Sequence, residues 1–328
     1  MKHEIDLKNY EIRTDLIDFY LNNCIYNNNY KNINIKRYYN DSNKMNKGNY
    51  TVISYDDITD TDNYYNVCDV LIKELNYILK KNNINEKDSC LIVGLGNNES
   101  TPDSLGPKTI ENVIVTNPIY ELNELDEGFR RTYKIIPNVY ANTGIETMEY
   151  IKSITNTINP DFIIIIDALA SESTERINKT IQISDCGISP GSGVGNNRME
   201  LSKKTLGKKV IVIGIPTVVD ASIIAFDTIN YLYKNYAYNK KNLKNPKNRF
   251  ILYNNITYNE EIDSISKENL FGIIGKLDNN ELKQLVYEVL SPVGLNTMVT
   301  TKEIDFMIKK ESELLGYAIN KVLHKKYR

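Results

Sequence analysis

Apolar residues follow two periods along the chain. Cys90–Leu95, Phe162–Ile166 and Val210–Ile215 are short continuous apolar runs, the pattern of parallel strands buried on both faces. Val67, Val70, Leu71, Leu75, Ile78 and Leu79 instead recur at three-and-four spacing, which predicts an amphipathic helix. Further helices are predicted over Pro107–Val115, Ile145–Ile158 and Ala221–Tyr233, with Pro107 suited to a first helical turn. Helical periodicity returns over residues 278–325. Strands alternating with helices predict an α/β fold, a doubly wound, mostly parallel sheet flanked by helices. Residues 22–50, rich in Asn, Tyr and Lys, hold no sustained period and read as an irregular segment. Residues 239–249, charged and Asn-rich with Pro246, read as an exposed loop. There is no internal repeat.

Composition narrows the chemistry. The 328 residues, 41% hydrophobic, suffice for a sizeable core, and at about 150 residues per domain both one domain and two are open. There is no run of about 18 uncharged apolar residues and no apolar signal region near the N-terminus, so a cytoplasmic protein without membrane attachment is expected. A net charge of −2 with interspersed signs offers no basic footprint for direct nucleic-acid binding. Cys24, Cys68, Cys90 and Cys186 lie far apart, indicating reduced, structural thiols rather than a zinc or disulfide framework. The only histidines, His3 and His324, sit near the two ends, which argues against histidine-based triads and imidazole metal sites. Proton transfer in a hydrolase would then fall to carboxylates or lysines.

In a doubly wound sheet, ligands gather beyond the carboxyl ends of the strands. Each of the three apolar runs leads into a loop that carries an aspartate: Asp103, Asp167 and Asp220. Asp167 directly follows Phe162–Ile166, so it is read at the mouth of an apolar strand, where desolvation raises a carboxyl pKa. If Asp103 approaches it, the like charges separate the two titrations and allow one acid and one base. Asp103 and Asp220 taken singly also suit helix N-caps. Gly94-x-Gly96 lacks the third glycine of a dinucleotide fingerprint, and Pro190-Gly-Ser-Gly-Val-Gly195 lacks the ending of a phosphate loop. The second stretch is instead expected as a flexible turn or a backbone-amide nest near the site.

The strings Ile12-Arg-Thr-Asp-Leu16, Gly94-Leu-Gly-Asn97, Thr101-Pro-Asp-Ser-Leu-Gly-Pro107, Ile166-Asp-Ala-Leu-Ala170, Ile188-Ser-Pro-Gly-Ser-Gly193, Pro216-Thr-Val-Val-Asp220 and Leu295-Asn-Thr-Met-Val-Thr300 resemble, in order, the germination protease family of spore-forming bacteria. The resemblance implies a fold similar to hydrogenase maturation proteases and cleavage of small acid-soluble spore proteins in the spore core. It also implies a tetrameric, self-processing precursor. The family's two proposed catalytic aspartates fall on Asp103 and Asp167. Its substrates carry an acidic residue before the scissile bond and an apolar one after it, an order reproduced by Thr14-Asp15-Leu16-Ile17. Residues 1–15 are therefore expected as a propeptide cut between Asp15 and Leu16, and residues 16–328 as the catalytic domain. Ile17 stands where the family usually has alanine, which predicts slow processing, with acid as the expected trigger.

The mechanism this implies needs no cofactor: one ionised aspartate deprotonates water while the other, protonated, assists the carbonyl or the leaving amine. Backbone amides near Gly94, Gly96, Gly191 and Gly193 are expected to face the oxyanion, with Asn97, Arg198 and Asp220 as positioning groups. Two alternatives stay open. One is a metal held between Asp103 and Asp167 by hard oxygen ligands; the other is a non-enzymatic nucleotide-binding module on the same fold.

Overall fold

A computed structural model of the chain describes residues 14–21, 24–43, 45–191, 198–242, 261–290 and 297–327. In chain order the elements are β1 (Tyr26–Tyr30), β2 (Ile33–Asn40), β3 (Gly48–Ser54), α1 (Thr61–Lys81), β4 (Cys90–Gly94), α2 (Leu105–Glu111), α3 (Asn117–Glu121), β5 (Thr132–Ile135), α4 (Tyr140–Thr143) and α5 (Thr147–Ile158). They continue with β6 (Phe162–Ser171), β7 (Thr180–Ser184), α6 (Lys203–Leu206), β8 (Lys209–Asp220), α7 (Ala221–Asn242), α8 (Ser264–Phe271), α9 (Asn279–Leu290), β9 (Met298–Val299) and α10 (Ile304–Leu323).

The main sheet runs in the order β1-β2-β3-β7-β8-β6-β4-β5. The parallel portion joins β4 to β5 and to β6, as expected for a doubly wound core. An antiparallel portion that the sequence reading did not include extends it from β8 through β7, β3 and β2 to β1. Successive strand residues point to opposite faces, and here both faces are covered. Ile92, Ile164, Ile166, Ile211 and Ile213 pack with α1, α2 and α10. Leu91, Val93, Ile163, Ile165, Val210 and Val212 pack with α5 and α6. This two-sided burial is why the three runs are apolar at every position.

Residues 22–50, read as irregular, instead supply β1, β2 and the start of β3. Lys31 and Asn32 both take positive φ (48° and 65°), the backbone of a two-residue hairpin turn, and Ile33, Ile35 and Tyr38 of β2 turn inward. Of the expected loop at 239–249, residues 239–242 finish α7, whose last turn carries Lys240 and Lys241, favourable charges at a helix C-terminus. Residues 243–249 lie outside the described residues.

Contacts group the chain into two compact units. Arg13–Val218 with Thr300–Arg328 form the main unit, and Val219–Val299 fall in the second. In the second, β9 pairs antiparallel with Val219 and Asp220 at the end of β8. Among the described residues no helix is long and apolar enough to cross a membrane.

Candidate active site

The site begins where two parallel strands of unequal length part. Pairing of β4 with β6 stops at Gly94↔Ile166, and Leu95 then donates to the Ile166 carbonyl at 2.8 Å. The β6 strand does not stop there; it runs on through Ala168, Leu169 and Ala170 to Ser171. Asp167 is therefore inside a strand rather than at its mouth, a correction to the sequence reading. The strand is extended because Ala168–Ser171 stay buried or half-buried and Leu169 packs over the bare backbone of Gly214 on β8. By alternation Asp167 points to the face of Ile163 and Ile165, the side of α5 and α6.

Asp167 is 7% exposed, and its Oδ1 accepts from the Ala168 amide at 3.0 Å. Burial pushes its carboxyl well above the ordinary value, and the negative charges of Asp103 and Asp15 push it further against the Ala168 hydrogen bond. Asp103 closes a single 3₁₀ turn, Thr101–Asp103, and is not the cap of α2; that position belongs to Ser104. Its Oδ2 accepts from the Asn97 backbone amide at 2.8 Å. Burial raises the Asp103 carboxyl to about 6, opposed by that amide. Both carboxyls are thus raised, Asp103 to about 6 by burial and Asp167 by burial together with the charges of Asp103 and Asp15, and like charges at such a distance separate two titrations.

Gly96, at φ +111°, seats Asp103: a Cβ there would lie 1.9 Å from the Asp103 carbonyl oxygen. Gly94 permits close packing of α2, since a Cβ would stand 2.5 Å from the Gly106 oxygen.

The chain segment just before the sheet reaches the same place. Asp15 donates its backbone amide to the Ala170 carbonyl at 3.0 Å, and its Oδ2 accepts from the Ala170 amide at 2.9 Å. Thr14 Oγ1 donates to Glu172 at 2.9 Å and accepts from the Leu16 amide at 3.1 Å. Leu16 and Ile17 are fully buried, Ile17 among Tyr38, Tyr50 and Val52. Arg176 binds Asp18 at 2.7 Å and Glu172 at 3.0 Å, and Gln182 of β7 contacts the backbone on both sides of Leu16. Sequence reasoning found Asp15 and Leu16 but missed Ala170, Glu172, Arg176 and Gln182. The only signal for Gln182 was a polar residue between Ile181 and Ile183.

The remaining sequence candidates are placed as follows. Asn97 supports Asp103 through its backbone, while its Oδ1 accepts from the Glu99 amide. Arg198 lies over the Tyr140 ring at 4.7 Å and 3.8 Å from Glu146. Gly191 turns at φ +74°, and Gly193 lies outside the described residues. Asp220, in the second unit, accepts from the Ser222 amide and hydroxyl at 2.8 and 2.6 Å, the pattern of a capping residue. His324 is buried, takes the Arg130 amide on Nδ1 at 3.2 Å, and is pushed down to about 4 by burial and then by the Arg130 charge. The four cysteines are unpaired, and burial raises the Cys68 and Cys186 thiols to about 12, far from a reactive thiolate. Among the described residues no group of three or more His, Cys, Asp and Glu side chains is arranged to hold a metal ion.

Comparison with known proteins gives the context. A family model described as germination protease matches residues 9–328. A germination protease of Geobacillus sp. (strain WCH70) is 45% identical over 288 residues, 84% of this chain and 77% of that one. A germination protease of Priestia megaterium is 39% identical over 358 aligned positions, covering 99% and 96%. Among solved structures, a [NiFe] hydrogenase maturation protease of Thermococcus kodakarensis KOD1 matches at 19% identity and a TM-score of 0.25, over 40% of this chain and 75% of that one.

Proposed function

The chain belongs to the germination protease family and is a protease of spore germination, and on that premise we propose that it is an endopeptidase of small acid-soluble spore proteins. In this reading it works by an aspartate pair and is made as a self-processing zymogen. One observation carries it: three carboxyls, Asp15, Asp103 and Asp167, from three separate stretches of sequence, lie close enough for the first two to raise the third. Asp103, ionised above about 6, takes a proton from water as the water attacks the peptide carbonyl. Asp167 delivers its proton to the leaving amine. The pair then exchanges protonation states and is reset by solvent, so no cofactor is required.

Asp15 belongs to the bond to be cut, and its contacts with Ala170 resemble an acidic substrate residue held before cleavage. Uncut, Thr14 and Asp15 lie along Ala170 and Glu172, where the acidic residue of a spore protein would enter. Their loss also removes the Asp15 charge that helps hold the proton on Asp167. We place the working protein in the cytoplasm of the spore core, as a homotetramer without membrane or direct nucleic-acid contact.

The test is the intact mass of the full-length protein held at mildly acidic and at neutral pH. Mild acid, below about 6, lowers the ionised fraction of Asp103, so a gain there comes from relieving the repulsion between the acidic residue before the bond and the carboxyls that line the site. The expected result is slow loss of residues 1–15, faster in mild acid and missing in Asp103→Asn. Full peptidase activity with residues 1–15 still attached would overturn the zymogen reading.

A further inference from the structure

Gln182 is a polar residue in a central strand, between Ile181 and Ile183 and paired across to Val52 on one side and Gly214 on the other. By alternation it turns away from the face that receives Ile181 and Ile183 and toward the face that carries Asp167. It is 7% exposed, so its carboxamide needs internal partners. Both come from one short stretch of backbone. Nε2 donates to the Asp15 carbonyl oxygen at 2.8 Å, and Oε1 accepts from the Ile17 amide at 2.8 Å. The Asp15 oxygen is the carbonyl of the Asp15–Leu16 peptide, so Gln182 straddles the bond at which self-cleavage is proposed. A carboxamide suits this position because it offers a donor and an acceptor in one rigid plane.

We propose that Gln182 is a catalytic residue of self-cleavage, the side-chain donor to the carbonyl oxygen of the Asp15–Leu16 bond. This rests on the reading that the chain cuts itself there. As water adds to the Asp15 carbonyl carbon, a C–O bond forms, the water proton passes to Asp103, and the carbonyl oxygen turns negative. The Nε2–H of Gln182 already points at that oxygen, and its direction is fixed by the Ile17 amide on Oε1. The C–N bond to Leu16 then breaks, the Asp167 proton goes to the Leu16 nitrogen, and the products are a carboxylic acid on Asp15 and an amine on Leu16. A preorganised donor of this kind strengthens in the transition state without reorganisation.

The experiment follows the intact mass of full-length wild type, Gln182→Met and Gln182→Glu over a range of pH, with melting temperature as the check on folding. Gln182→Met keeps the length but has no donor, and is expected to slow release of residues 1–15 by about a hundredfold. Gln182→Glu can donate only when protonated, so its rate relative to wild type should rise as pH falls. A residue that merely supports the fold would not produce that profile. Wild type cut after Asp15, with folded Gln182→Met or Gln182→Glu cut within about threefold of it at every pH, would overturn this inference alone. Wild type that is never cut after Asp15 would overturn both the inference and the self-processing reading.

Discussion

Asp103→Asn and Asp167→Asn are each expected to lower peptide cleavage by about 10²- to 10⁴-fold while leaving the protein folded. The amide keeps the volume and can still accept or donate a hydrogen bond, but it cannot take or give up a proton, and such general acid-base steps are worth about 10² to 10⁴ each. Stability should move the opposite way. Burial raises both carboxyls, so the folded state binds protons that the unfolded chain has released. The stability tied to those protons is complete below the unfolded carboxylate range and is lost as pH rises through the folded value, about 6 for Asp103. At neutral pH the asparagine variants escape that loss and should melt at or above the wild-type temperature. Activity that falls together with the melting temperature would point to damage to the fold; full turnover by either variant would remove it from the dyad.

Gly96→Ala is expected to be nearly as damaging although it touches no reacting atom. The backbone at φ +111° is barely open to alanine, and the added carbon would fall 1.9 Å from the Asp103 carbonyl oxygen. The turn at 101–103 must move to make room. A displacement of about 1 Å in a catalytic group costs about a hundredfold in rate, and strain at such a position costs about 1–3 kcal/mol. Steady-state kinetics on a short acidic peptide, with thermal melting, would read both effects. Wild-type kcat with an unchanged melting temperature would show that Asp103 is not seated by Gly96.

The parts that sequence made plain were those where one residue carries its own signal. The runs at Cys90, Phe162 and Val210 announced central strands because both sheet faces are covered, and an aspartate after such a run stood out by charge alone. The meander at residues 26–54 was hidden for the opposite reason. Strand β1 is almost wholly exposed and reads Tyr-Asn-Asn-Asn-Tyr, so no alternation survives, and its turn uses Lys31-Asn32 rather than a glycine pair. The continuation of β6 past Ile166 was obscured by Asp167, which looks like a strand end because a buried charge is normally excluded. Gln182 was invisible because its partners, at Asp15 and Ile17, lie far away in the chain and are backbone atoms. An amide recognising a peptide leaves no mark in either segment's side chains.

The claim that peptide bonds are cut here by two aspartates is tested most directly on a spore protein. Full-length protein is held in mild acid until residues 1–15 are lost, then mixed with a small acid-soluble spore protein in excess chelator, and the new termini are identified by mass spectrometry. The account predicts cuts after an acidic residue and before an apolar one, at a rate indifferent to chelator, and no cuts from Asp103→Asn produced without residues 1–15. Cleavage that stops with chelator and returns with added metal, or that persists in Asp103→Asn, would contradict it.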